Sequence, residues 1–211
     1  MSLFSAKNIS KYYQGEPVIE NVSIEVEKGE VVCLLGKSGV GKSTFFNVLS
    51  GLETPDSGSV FLDGLDITGL PGKVSYMLQS DLLLPFKTVI DNVALPLIIG
   101  GMPTRSARIE AAKYFDDFGL AGYERKYPNQ ISGGMRQRAA LLRTFLNHKA
   151  VILLDEPFSA LDSFTKTEMH DWFKGIVAKF GLTALFITHD VEEAHLLSDR
   201  IYTMSGRPGR I

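Results

Sequence analysis

Three short apolar runs punctuate the chain: Val31 to Leu35, Ala150 to Leu154 and Thr183 to Ile187. Each has the length of a strand, and a run without polar alternation predicts a strand buried on both faces of a parallel sheet. Stretches with helical spacing lie between and after them: Lys42 to Ser50, Gly134 to Leu146, a helix capped by Asp162 that runs to about Lys179 with Gly181 just past its end, and a helix from Asp190 through Leu197. Asp at the first position and Gly after the last are start and stop signals. The first part of the chain reads as strands. Val18 to Val26 alternates in part, Lys28-Gly29-Glu30 is a turn, and strand-like pieces at Ser59 to Leu62 and Lys73 to Leu78 follow the turn cluster Thr54-Pro55-Asp56-Ser57-Gly58. Ile201 to Met204 is a last strand.

Apolar strands alternating with helices define an α/β fold with a mainly parallel sheet. One stretch, about residues 84–138, breaks that rhythm. It is largely helical, with a helix expected from Thr104, as its cap, to Phe118, and Gly119 closing it. We read it as a helical subdomain inserted into a core of about residues 1–83 and 139–211, all within one domain. There is no internal repeat and no low-complexity segment.

The turn after the first apolar run carries chemistry. Gly36-Lys37-Ser38-Gly39-Val40-Gly41-Lys42-Ser43-Thr44 fits G-x-x-x-x-G-K-[ST], between a strand and a helix as that pattern requires. Its glycines let backbone N–H groups converge on one anion, and the helix beginning near Lys42 turns its positive end toward it. The Lys42 ammonium can then reach the β- and γ-phosphates of a nucleotide, and the Ser43 hydroxyl can ligate Mg²⁺.

The second run ends in Asp155-Glu156. Ligands of open α/β sheets bind beyond the carboxyl ends of the strands. Asp155 is therefore expected to face the Mg²⁺ shell, and Glu156 to act as general base on a water. The third run leads into Thr188-His189-Asp190, where His189 can donate a hydrogen bond to a γ-phosphate. The other histidines, His148, His170 and His195, are read as structural.

Composition narrows the picture. Apolar residues are 45% and charged residues 22% of the 211, as in an ordinary globular protein, so disorder does not dominate. The net charge of −2 lacks the basic excess of a nucleic-acid binder, and no nucleic-acid partner is expected. Cys33 is the single cysteine, so an internal disulfide is impossible; it sits in an apolar run and reads as a packed thiol. Met1 to Lys7 lacks the pattern of a secretory signal. No window approaches the roughly 20 apolar residues that span a bilayer, and the best, Val93 to Met102, is broken by Pro96, Gly100 and Gly101. If the protein acts on a membrane process, another chain is expected to supply the membrane part.

With these residues in view, the chain resembles the ATP-binding subunits of ABC transporters. The deciding segment is Ile131-Ser132-Gly133-Gly134-Met135-Arg136-Gln137-Arg138, similar to the family signature L-S-G-G-Q. Ile131 and Met135 depart from it, the second removing a polar group. The resemblance covers nearly the whole chain and implies a RecA-like P-loop core with an N-terminal antiparallel β subdomain. It implies that Ser132, Gly133, Gly134 and Met135 serve the ATP of a partner subunit, that Ser159-Ala160-Leu161-Asp162 crosses the dimer interface, and that Gln79 contacts Mg²⁺ and water. It also implies that His189 is a switch and that Tyr13 stacks on adenine. Tyr12 is an alternative stacker, and Tyr13 can also be an ordinary edge-strand aromatic.

The family pattern implies a homodimer that closes on ATP and opens after hydrolysis, held to the inner face of the cell membrane through transmembrane permease subunits. Leu82-Leu83-Leu84-Pro85-Phe86, after Gln79, reads either as a groove for a permease helix or as packing between subdomains. The stretch from Leu82 to Val93, with Arg207-Pro208-Gly209-Arg210-Ile211, is similar to importers of nitrate, sulfonates such as taurine, and pyrimidine precursors of thiamine. That group implies an extracytoplasmic solute-binding protein as a further, indirect partner. No C-terminal regulatory domain is expected. The rival reading, a non-transport ABC ATPase acting on DNA, calls for coiled-coil insertions or a DNA-binding surface, and neither is visible.

Overall fold

The structure, a computed structural model, describes residues 2–211; Met1, at the start of the segment read for a secretory signal, lies outside the described residues. Two sheets enclose one helix. The first is antiparallel, with order β2-β1-β4-β5, built from β1 (Phe4–Tyr13), β2 (Glu16–Val26), β4 (Ser57–Leu62) and β5 (Leu65–Asp66). The second is parallel throughout, with order β6-β7-β8-β3-β9, built from β3 (Val31–Leu35), β6 (Ser75–Met77), β7 (Ile152–Asp155), β8 (Ala184–Thr188) and β9 (Arg200–Thr203). The three apolar runs are thus neighbouring strands, β7, β8 and β3.

Their lack of alternation has a direct cause. Successive side chains of a strand point to opposite faces, and both faces here are covered. Val32, Leu34, Leu153, Leu185 and Ile187 join one core with the antiparallel sheet and with α1 (Lys42–Leu49). Val31, Cys33, Ile152, Leu154, Ala184 and Phe186 join the other, with α5 (Gly133–Phe145), α6 (Ser163–Phe180) and α7 (Val191–Leu197). Phe45 and Phe46 of α1 are fully buried. Each such ring stabilises the fold by about 1.5–3 kcal/mol relative to an exposed one. Cys33 is buried as expected, and burial pushes its thiol up to about 12.

The stretch from residue 84 to 138 holds less helix than its sequence suggests. It contains α2 (Val89–Val93), α3 (Leu95–Ile99), α4 (Thr104–Ala112), a 3₁₀ turn at Pro128–Gln130 and the first turns of α5. The helix expected to reach Phe118 stops at Ala112, and Thr104 does not cap it, since Pro103 holds that position. The reason is tertiary. Residues 113–118 turn to bury Phe115 and Phe118, and Phe118 packs edge-on against Trp172 of α6 at 5.6 Å. α5 runs unbroken through residues 138 and 139, so the expected seam falls inside a helix. Among the described residues no helix is long and apolar enough to cross a membrane.

Candidate functional site

The loop between β3 and α1 needs its glycines. Gly39 and Gly41 have φ of 77° and 106°, in the left-handed region that favours glycine. A Cβ at Gly41 would also stand 2.6 Å from Ile19 Cγ2, and one at Gly36 would stand 2.6 Å from Met204 O. The curled loop folds around the ammonium of Lys42, which donates to Gly36 O at 2.7 Å and Lys37 O at 3.0 Å. Burial pulls that ammonium below its usual range, against the opposing pull of the Glu156 and Asp155 carboxylates.

Those carboxylates come from the end of β7. Asp155 is its last residue and is 5% exposed. Burial pushes its carboxyl above the usual range, although hydrogen bonds from Ser43 and Tyr76 and the charge of Lys42 act the other way. The Tyr76 hydroxyl donates to Asp155 Oδ2 at 3.3 Å. Glu156 leaves the strand with φ of 45°, a left-handed conformation that is strained for a residue with a side chain. Its carboxylate stands 4.0 Å from Lys42 Nζ through Oε1. At Oε2 it accepts from Gln79 Nε2 at 3.4 Å and lies 3.3 Å from His189 Nδ1.

One open cleft of about 540 Å³ gathers Lys42, Gln79, Glu156 and His189, while Asp155 is buried and is not part of its lining. Its floor is Lys37, Ser38, Gly39 and the run Gly41 to Thr44; its far wall is Gln79, Glu156 and His189; Val18 is at its rim. Gly36 and Val40 face an adjoining hollow instead. The cleft suits a polyanion, with a nest of backbone N–H groups, one buried ammonium and a helix N-terminus. Ser43, Gln79 and the buried Asp155 carboxylate offer hard oxygen ligands, the donor set that suits Mg²⁺, and a cation would relieve the burial of Asp155.

The remaining expected residues lie outside this cleft. Ser132 caps α5, its hydroxyl accepting from the Met135 N–H at 3.2 Å. Gly133 shares a separate depression with Gln79, Ser159, Ala160 and Leu161. Gly134 packs against Thr165 of α6, and Asp162 caps α6 by accepting from the Thr165 N–H at 3.0 Å. Within one chain, then, the signature and the 159–162 loop do not meet the phosphate loop. Tyr13 is 43% exposed, hydrogen-bonded to Glu53 and near Thr44; Tyr12 is at 37%, its N–H tied to Asp56.

Several residues with structural roles at the site escaped the sequence reading. Arg143 of α5 donates to the carbonyls of Asp81 and Leu82, and Arg136 bonds Asp81 Oδ2 at 3.2 Å, so α5 holds the segment after Gln79. Asn92 is fully buried and ties the 84–88 segment through Leu84, Lys87 and Thr88. Asn92 stands beside Asp91 in Val89 to Val93, and nothing local sets it apart. Gly209 donates to Val18 O at 2.9 Å, and a Cβ on it would stand 2.2 Å from Val40 O, so the 207–211 segment braces the phosphate loop.

This fold and cleft define a P-loop nucleotide-binding α/β protein. A family model described as "ABC transporter" matches residues 19–159. The formylaminopyrimidine import ATP-binding protein ThiZ of Halalkalibacterium halodurans is 48% identical over 197 residues, 93% of this chain and 77% of its own length. The nitrate import ATP-binding protein NrtD of a Synechocystis species is 41% identical over 193 residues, 92% of this chain and 73% of its own. A solved dimer of the ATP-binding cassette MJ0796 in a post-hydrolysis state, bound to ADP and Pi, superposes with a TM-score of 0.82 at 31% identity, covering 99% of this chain and 96% of that one. The chain belongs to the ABC transporter family, as an ATP-binding subunit.

Proposed function

We propose that this chain hydrolyses ATP to drive a small-solute importer of the nitrate, sulfonate, taurine or pyrimidine-precursor type. The observation that carries the reading is the convergence of Lys42, Gln79, Glu156 and His189 on one cleft. Relatives named as import ATP-binding proteins support the transport side. In this reading the loop 36–44 binds the phosphates, and Lys42 neutralises their charge. Glu156 is the general base, held at Oε2 by Gln79 and His189, and His189 also stabilises the charge of the transition state. Ser43, Gln79 and Asp155 hold Mg²⁺, which offsets phosphate charge when bound. Tyr13 stacks on the base.

Ser132, Ser159, Ala160 and Asp162 are exposed and can face a second copy, with Gly133 and Met135 half-buried beside them and Gly134 buried against α6, so the working unit is a homodimer with two sites. ATP favours its closed form through contacts made only there. The helical subdomain is taken as about residues 84–138, joined to the core of 1–83 and 139–211 through the continuous α5. Beside the Gln79 loop, Leu78, Leu82, Pro96 and Ile99 line a hollow of about 280 Å³, and Phe86 is 72% exposed nearby. This apolar surface receives a cytoplasmic helix of the permease. The chain is then peripheral on the inner membrane face, and the permease links it to an extracytoplasmic solute-binding protein.

Co-expression with a permease of this importer group tests this. The chain is expected to remain with solubilised permease. A Leu82→Asp, Ile99→Asp double variant is expected to separate from it while still hydrolysing ATP. Retention of that variant by the permease sinks the docking surface.

A further inference from the structure

The chain buries one carboxylate that the chemistry above does not use. Glu193, on α7, is 3% exposed, and every partner it has belongs to a segment beside the catalytic pair. Its Oε2 accepts from the hydroxyl of Thr188, the last residue of β8 and the neighbour of His189. Its Oε1 is 2.9 Å from His170 Nε2 and 3.5 Å from Lys166 Nζ, both on α6. Lys166 also reaches Asp190 Oδ2 at 2.7 Å, and the Asp190 N–H donates to Thr188 Oγ1 at 3.1 Å. Thr188 and Asp190 flank His189, so both neighbours of that histidine are tied to the same buried acid.

The other arm runs toward Glu156. The His170 ring is 7% exposed and packs edge-on against Phe158, with centroids 5.1 Å apart. Phe158 stands two residues after Glu156, in the turn where the Ser159 N–H and hydroxyl bond Glu156 O at 3.2 Å and 3.0 Å. Glu156 sits in a left-handed backbone conformation that its surroundings must impose. A buried ionic cluster is a weak source of stability, because desolvating the charges offsets most of their attraction. It does fix geometry, since each partner has one satisfied arrangement.

We propose that Glu193 is a positioning residue for catalysis: through Thr188 on one side and His170 on the other, it sets the spacing between His189 and Glu156. The inference rests on the reading of those two residues as the catalytic pair. Glu193 touches neither the cleft nor its contents, so nucleotide binding does not depend on it. Because Asp162 caps α6, the same cluster joins the 159–162 loop to the His189 turn.

The test is Glu193→Gln in the full chain, which keeps the shape and removes the charge. Three quantities are read: turnover at saturating ATP, affinity for ADP, and the ring NMR signals of His189. A displacement of about 1 Å can cost on the order of 10²-fold in rate. Turnover is therefore expected to fall at least about tenfold, with ADP affinity within about twofold of wild type and the His189 signals shifted. A smaller fall in turnover, unshifted His189 signals, or a matching loss of ADP affinity overturns the proposal. If Glu193→Gln does not fold, Thr188→Val, which deletes the hydroxyl's bond to Glu193 together with the one it accepts from the Asp190 N–H, is judged by the same criteria. His189→Ala is the control: wild-type turnover there sinks the catalytic pair itself, whereas a dead His189→Ala beside an active Glu193→Gln sinks only the role given to Glu193.

Discussion

Lys42 Nζ and Glu156 Oε1 stand 4.0 Å apart, on facing sides of one cleft. The phosphate loop after β3 and the acid after β7 thus act on a common volume, although β8 lies between their strands in the sheet. Opposite charges at that distance also fix what each substitution does.

Glu156→Gln is the clearest case. The amide keeps the size and the contacts to Gln79 and His189 but accepts no proton from water. Losing a transition-state contact of this kind commonly costs about 10²–10³ in rate. ATP binding is expected to be kept and phosphate release to fall by at least that factor. Wild-type phosphate release refutes the role of Glu156.

Lys42→Ala removes the buried ammonium around which the phosphate loop curls, together with its bonds to Gly36 O and Lys37 O. Charge-assisted hydrogen bonds contribute roughly 1.5–3 kcal/mol each. A loss of ATP affinity on the order of tenfold or more is expected. Calorimetric titration checks it, and unchanged affinity contradicts the phosphate-loop assignment.

Asp155 sets function against stability. Burial raises its folded pKa, so the folded chain takes up a proton there at higher pH than the unfolded chain does. The stability from this protonation is complete below the unfolded pKa and is lost as pH rises through the folded one. At pH 7 without a cation, the bare carboxylate therefore destabilises the fold. Asp155→Asn is expected to raise the melting temperature of the ligand-free chain at pH 7, to lose that advantage as the pH falls toward the ordinary carboxylate range, and to cripple turnover. Equal melting temperatures at pH 7 would show that burial of Asp155 carries no such cost.

Much of this was legible in order along the chain. The runs at Val31, Val151 and Thr183 became the central strands because burial on both faces leaves no polar alternation to misread. The caps at Asp162 and Asp190 were local signals, and both are used. β1 was harder, since Lys7, Asn8 and Lys11 interrupt its apolar face and Asn8 takes a φ of 53° at a break in register. The turn at residues 113–118 was hidden because Phe118 is placed against Trp172, far away in sequence. At the site, the chemistry-bearing residues stood out by motif. Arg143, Asn92 and Glu193 did not, and Arg136 stood in the signature with no role read for it, because their meaning lies in which distant segment each one holds.

The left-handed backbone at Glu156 has a consequence for laboratory evolution. Gly and Asn adopt that conformation more readily, and strain of this type costs about 1–2 kcal/mol per residue for other L-amino acids. A library screened only for heat resistance should drift at position 156 toward those two residues. The hardiest descendants would then be the ones that have forgotten how to turn over, so any such campaign has to score activity in every round.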